Sequence, residues 1–202
     1  MSFFENTRKP AGFGGRLMVA AMNAGHRALA AWGFRFIDVP ENAAALDCGC
    51  GGGANIRALL KKCPRGRVSG IDYSAVSVEK SRSVNCKAIE AGRCEALQAS
   101  VESLPFADGS FNIVTAFETV YFWPELESSF REVRRVLHRG GVFMICNECG
   151  GDGRGENWEK VVSGMTVYSG EQLRDMLERA GFSGIRLHTN SRGWLCVTAK
   201  NK

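Results

Sequence analysis

The sequence predicts an α/β fold: a seven-stranded, mostly parallel sheet with helices on both faces, one antiparallel strand near the C-terminus, and a helical lid at the N-terminus. Three observations predict it. From residue 43 onward short apolar runs alternate with helical patterns, the mark of right-handed strand–helix–strand crossovers. The first run, Ala43 to Cys48, ends in a loop with glycine at 49, 51, 52 and 53 that turns straight into a helix. The last two runs, Ile185 to His188 and Trp194 to Ala199, are joined by TNSRG, which is too short for a crossover, so they pair antiparallel.

Each element has its own local cause. From Gly14 to Trp32 two apolar stripes at helical spacing predict a helix that Gly33 stops. After the glycine loop the helix runs to Lys62, and a Pro-Arg-Gly turn leads into a second strand, Val68 to Asp72. A helix is expected between Ser74 and Gly92, then strands Cys94 to Ala99 and Phe111 to Phe117. Pro124 stands as a first helical residue, with Glu125 and Glu127 in the first turn and Arg134, Arg135 and His138 in the last. That order complements the helix dipole, which accounts for the basic cluster without a nucleic-acid surface. The fifth strand is Gly141 to Asn147, and Ser169 with Gln172 forms a capping-box start for the final helix, which ends at Gly181.

At 202 residues the chain suits one well-buried core. The expected layout is a single domain: a cap over 1–36, a cofactor-binding core over 43–147, a mobile glycine-rich loop over 148–168, and a C-terminal helix and hairpin over 169–202. The formal charge of +5 is spread along the chain and permits an anionic partner without requiring one. No run approaches the length that spans a bilayer. Eight cysteines, several inside apparent core segments, fit a reducing cytoplasm better than a secreted disulfide framework. Cys146 and Cys149 form a CxxC with no second pair to complete a zinc site and no helix after it, so reduced thiols are expected and no metal.

The glycine loop alone leaves the ligand open, because Gly49 to Ala54 also fits GxGxxA, a dinucleotide fingerprint. Asp47 argues against a pyrophosphate there and suits a ligand that carries an ammonium group; the closing hairpin also argues against a nicotinamide enzyme.

LDCGCGGG at 46–53, GIDYS at 70–74, SLPFADGSFNIV at 103–114 and RVLHRGG at 135–141 together resemble the successive motifs of class I S-adenosylmethionine-dependent methyltransferases. The N-terminal LMVAAMNAGHRALAAWGF and the segment FETVYFWPE resemble a small bacterial single-domain group with the type 11 methyltransferase domain. The resemblance implies a Rossmann-like fold and S-adenosylmethionine as cofactor. It implies that Asp47 orders the glycine loop and attracts the cofactor's amino group, and that Gly49, Cys50, Gly51 and Gly53 let the backbone approach its methionine part. Asp72 is implied to accept both ribose hydroxyls, with Tyr73 against the adenine and Ser74 beside it. Ser100 stands where many members have an acid for the adenine amino group, which shifts that recognition toward the backbone around Val101. Asn112, His138 and Arg139 depart from the family's common residues on the scaffold.

Methyl transfer is then expected by direct in-line displacement in a dry aromatic pocket. Phe117, Tyr121, Phe122 and Trp123 follow the fourth strand and are the pocket candidates, joined by Met22 and Asn23 from the N-terminal helix and Trp158 from the loop. Where the acceptor must lose a proton, Glu118, Tyr121 and His26 are the candidate bases. Glu118 has a competing role at the cofactor's amino group, and His26 a plain role at the rim of a packed helix. The acceptor is expected to be a small molecule, with no nucleic acid or membrane partner. The alternatives are an RNA or protein methyltransferase, or a cofactor-binding subunit that activates a partner without catalysis. No two prolines are adjacent, so the Asn/Asp-Pro-Pro-aromatic signature of amino methylation on nucleic acid is absent.

Overall fold

The computed structural model describes residues 27–150, 162 and 164–202. The helix expected from Gly14 to Trp32 lies outside the described residues up to 26; from there α1 (Arg27–Gly33) is described, and it ends at the expected glycine. Then follow β1 (Ala44–Cys48), α2 (Ala54–Lys62), β2 (Arg67–Asp72), α3 (Ala75–Val84), α4 (Cys86–Glu90) and β3 (Cys94–Gln98). The second half contains β4 (Phe111–Phe117), a 3-10 turn (Val120–Phe122), α5 (Leu126–Val136), β5 (Leu137–Asn147), α6 (Gly170–Arg179), β6 (Phe182–Thr189) and β7 (Leu195–Asn201).

The strands form one seven-stranded sheet in the order β3-β2-β1-β4-β5-β7-β6. Pairings from β3 through β5 are parallel, and β7 runs antiparallel to both neighbours, as the short TNSRG connection requires. The central strands read as continuous apolar runs because both faces are covered. On one face Leu46, Val114, Phe143 and Ile145 pack with Phe130 and Val133 of α5 and Leu173 and Leu177 of α6. On the other, Ala45, Ile113, Met144 and Cys146 pack with Leu29 of α1 and Ile56 and Leu59 of α2. The strand order reverses at β1, between β2 and β4, so the loop after β1 opens into the crevice where ligands bind in such sheets.

β4 has the predicted bounds, and the capping box on α6 is present in both directions between Ser169 and Gln172. Three features differ. The helix expected over 74–92 breaks at Asn85, whose side chain donates to the Gly53 and Ser81 carbonyls and so leaves the helical path. α5 starts at Leu126, with Glu125 before it in the left-handed region at φ 34°. The hydroxyls of Ser128 and Ser129 donate to the Glu125 and Pro124 carbonyls, which holds that corner outside the helix. Finally, β5 begins directly at Leu137, so His138 is a strand residue and not part of a last helical turn.

The basic cluster therefore has a more specific cause than the helix dipole. Arg135 spreads its guanidinium over the Leu104 and Phe106 carbonyls, Glu132 and Asp108, at 2.7–3.0 Å, and ties the segment before β4 to α5. Arg135→Ala takes that donor from both carbonyls and leaves Glu132 with the Leu104 amide alone, and is expected to lower unfolding free energy by roughly 2–3 kcal/mol. Arg135→Lys, which keeps the charge but not the fork, should recover only part of this in denaturant titrations.

Candidate functional site

The loop after β1 is fixed from three sides. The Gly49 and Cys50 amides both donate to the Ile71 carbonyl at 2.8 Å, which pins the loop to the end of β2. Gly49 has φ 78°, and a Cβ there would fall 2.3 Å from Thr119 Cγ2, so only glycine fits. Thr119 itself donates to the Cys48 carbonyl at 3.1 Å. Gly51 has φ 50° with open space where a side chain would stand, so its backbone faces the cavity bare.

Asp72, 8% exposed at the end of β2, accepts from the Gly51 amide at 2.9 Å through Oδ2 and from the Ser74 amide at 2.8 Å through Oδ1. It is Asp72, not Asp47, that holds the glycine loop. Each of its oxygens keeps a further acceptor position. Burial pushes its carboxyl up, opposed by the bonds from Ser74 and Gly51.

Asp47 is 1% exposed, and Thr115 donates to its Oδ1 at 2.7 Å while Oδ2 has no hydrogen-bond partner among the described residues. Burial pushes this carboxyl up to about 7, against the lowering effect of the Thr115 bond, with the Asp72 charge adding to the rise. A dry carboxylate with one vacant oxygen is unfavourable unless a cation or a donor meets it. The ammonium group of S-adenosylmethionine is such a partner, and a glycine cradle with a second acid at the next strand end fits the rest of that cofactor.

A cavity of about 850 Å³ stands over this loop. Gly49, Cys50 and Gly51 line it from the loop, and Asp72 and Tyr73 from the end of β2. Ser100 and Val101 line it beyond β3, and Phe117, Glu118, Phe122 and Trp123 beyond β4. Asp47, Gly53, Ser74 and Tyr121 do not line it: Gly53 caps α2, Ser74 caps α3, and Tyr121 is 3% exposed beside the end of β5. Trp123 stacks on Phe143 at 6.2 Å and meets Phe130 at 6.0 Å, so it serves the core as well as the cavity wall. Met22, Asn23, His26 and Trp158 lie outside the described residues.

Sequence reading missed Thr115, Thr119, Asn85 and Glu102. The first three are polar residues in or beside strands and helices, and only their tertiary partners give them meaning. Glu102 lines the cavity and pairs with Ser100, whose hydroxyl donates to its Oε2 at 3.1 Å and accepts from its amide at 3.2 Å. An acid is thus present two residues after the position where the family commonly has one. The S-x-E spacing carried that signal.

Glu118 sits past β4 with φ 59°, unusual for a residue with a side chain. Its Oε1 accepts from the Glu148 amide and lies 3.3 Å from the Tyr121 hydroxyl. That hydroxyl accepts from the Cys149 amide at 2.9 Å and is 3.2 Å from the Cys149 carbonyl. The pair clasps the chain leaving β5 to the cavity wall. Burial pushes Glu118 up to about 8 and holds the Tyr121 phenol far above its usual value. A carboxyl with a raised folded pKa is neutral in the folded state while already ionised in the unfolded one, so it subtracts stability as pH rises from about 4.5 to about 8. Glu118→Gln keeps the acceptor and removes the titration, and is expected to flatten that fall when unfolding free energies at pH 5 and pH 9 are compared.

All eight cysteines are thiols. Cys146 faces Cys196 across the β5–β7 pair, and that contact together with burial pushes its thiol up. Among the described residues no cluster of histidine, cysteine or acidic side chains could hold a metal ion, and no helix is long and apolar enough to cross a membrane.

The chain is similar in sequence and in fold to known methyltransferases. The profile of the methyltransferase-domain family matches residues 46–145, from β1 through most of β5. The YrhH protein of Bacillus subtilis (strain 168) is 33% identical over 109 residues, 54% of this chain and 59% of that protein. The 24-methylenesterol C-methyltransferase 2 of Oryza sativa subsp. japonica is 35% identical over 99 residues, 49% of this chain and 27% of that protein. The chain therefore spans less than two thirds of either relative. In fold it is similar to the Haloferax volcanii chain solved with the Trm112 methyltransferase activator, at a TM-score of 0.81, 20% identity, and coverage of 91% of this chain and 93% of that one. Across residues 46–145, from the glycine loop through the parallel core, this chain carries the methyltransferase domain.

Proposed function

We propose that this protein transfers a methyl group from S-adenosylmethionine to a small-molecule acceptor by direct in-line displacement. The observation that carries the reading is the pair of buried acids, Asp72 locked to the Gly51 amide and Asp47 with a vacant oxygen, beneath one large cavity. When bound, the cofactor supplies an electrophilic methyl group on a sulfonium whose charge disappears on transfer. Asp72 would hold the ribose hydroxyls, the bare backbone at Gly49 and Gly51 would admit the methionine part, and Asp47, behind the cavity wall, would attract the amino group by its charge without lining the cavity. Glu102, with Ser100 and Val101, meets the adenine edge, and Tyr73, 40% exposed, covers its face.

Phe117, Phe122 and Trp123 exclude water from the reacting end, so a charge that fades in the transition state costs less there than in the ground state. Positioning within such a pocket is worth roughly 7–11 kcal/mol of barrier. Glu118 is the group on the wall that can hold a proton, at Oε2, since Oε1 is committed to Glu148 and Tyr121. Tyr121, buried away from the cavity and difficult to ionise, positions Glu118 and Cys149 and does not act as the base. A small acceptor is favoured by the recessed shape of the site and by the sterol named for the rice relative.

The test is to incubate the protein with methyl-labelled S-adenosylmethionine and a panel of small acids, alcohols and amines, and to measure S-adenosylhomocysteine. Accumulation that depends on an acceptor is expected. Tight cofactor binding with no turnover across the panel, relieved by adding a partner protein, would instead identify a subunit that acts through another chain.

A further inference from the structure

One arm of the cavity is not needed for the contacts above. Its lining comes from α1 and from α2, the helix that follows the glycine loop: the small residues Ala30, Ala54 and Ala58 together with Arg27, Arg57 and Lys61. Arg57 and Lys61 are one turn apart on α2 and so share a face, while Arg27 comes from α1. All three are exposed. Among the described residues none of them has an ion-pair partner. The acids that line the cavity, Asp72, Glu102 and Glu118, come from β2 and from the segments after β3 and β4. Like charges at i, i+4 repel each other, and a third cation adds to that repulsion, so the arrangement costs stability until an anion enters it. The alanines give no polar partner, and the arginine and lysine stems present methylenes to whatever lies between them.

We propose that this arm is an acceptor subsite for an amphipathic anion. Its carboxylate or phosphate head is held by Arg27, Arg57 and Lys61, and its apolar body lies over the alanines toward the glycine loop. The assignment of the anion to the acceptor rests on the methyltransferase reading. The cofactor's own carboxylate offers the same chemistry, and the experiment separates the two sources.

Octanoate and octyl phosphate, with octanol as the uncharged control, are titrated calorimetrically into the full chain, with and without saturating S-adenosylhomocysteine. The same titrations are run on the Arg27→Gln/Arg57→Gln/Lys61→Gln variant and on Arg57→Lys, all checked for wild-type circular dichroism and melting. Both anions are expected to bind the S-adenosylhomocysteine complex roughly tenfold or more tightly than octanol. The triple variant should lose that preference while binding S-adenosylhomocysteine as the wild type does, and Arg57→Lys should retain it. Equal affinity for octanol and octanoate, or an anion preference that survives in the triple variant, overturns the proposal. So does a triple variant that loses S-adenosylhomocysteine but binds adenosine normally, which would assign the cations to the cofactor's carboxylate. If the wild type fails to bind S-adenosylhomocysteine, the methyltransferase reading falls, and the titrations without it still decide whether the arm selects anions.

Discussion

Asp72→Ala is expected to abolish cofactor binding while leaving the fold intact. The carboxylate has two spare acceptor positions for the ribose hydroxyls, and charge-assisted bonds of that kind contribute roughly 1.5–3 kcal/mol each. Losing two corresponds to about two to four orders of magnitude in affinity. The substitution also removes the acceptor for the Gly51 amide, so the loop loses its anchor as well as the ligand its partner. Alanine removes a largely desolvated charge from the free protein, so its melting temperature should not collapse. Asp72→Asn, which keeps one oxygen, should fall between the two in calorimetric titration. Undiminished affinity in the alanine variant would show that the site lies elsewhere.

Asp47→Asn is expected to move stability and affinity in opposite directions. In the free protein the Asp47 carboxyl titrates at about 7 against 3.8 in the unfolded chain. Between those values the folded state holds a proton that the unfolded state has released, so stability falls as pH rises and levels off above about 7. A gap of this size corresponds to roughly 4 kcal/mol. Asparagine keeps an acceptor for Thr115 and removes the charge, so its unfolding free energy at pH 8 should exceed the wild type's and depend less on pH. Its affinity for the cofactor should drop by about tenfold or more, because the ammonium loses its counter-charge. A variant that is less stable than wild type at pH 8 would contradict the description of Asp47 as an uncompensated buried acid.

Much of this was legible in the sequence because the features concerned are local. β4 is bounded by a turn on one side and an aromatic cluster on the other, the capping box needs only Ser169 and Gln172, and the order of the last two strands follows from a five-residue connection. The glycine loop and the two acids were visible because few other arrangements place them together.

What the sequence hid depends on contacts between distant segments. Asn85 is an ordinary helical residue until the Gly53 carbonyl, 32 positions away, draws its side chain out. That Asp72 and not Asp47 accepts from the Gly51 amide is a contact between residues 21 positions apart that no spacing encodes. Tyr121 has the composition of a pocket residue, but the 3-10 turn over Val120–Phe122 rotates it toward Cys149 and leaves Phe122 facing the cavity. Pro124 gave a reasonable start for α5, and the serine hydroxyls at 128 and 129 moved it two residues on.

The central claim is that two buried acids and a bare glycine loop select S-adenosylmethionine. It is tested most directly by titrating the full chain calorimetrically with S-adenosylmethionine and, separately, with NAD. Saturable binding of the first and none of the second is expected. Binding of NAD without S-adenosylmethionine would contradict the account.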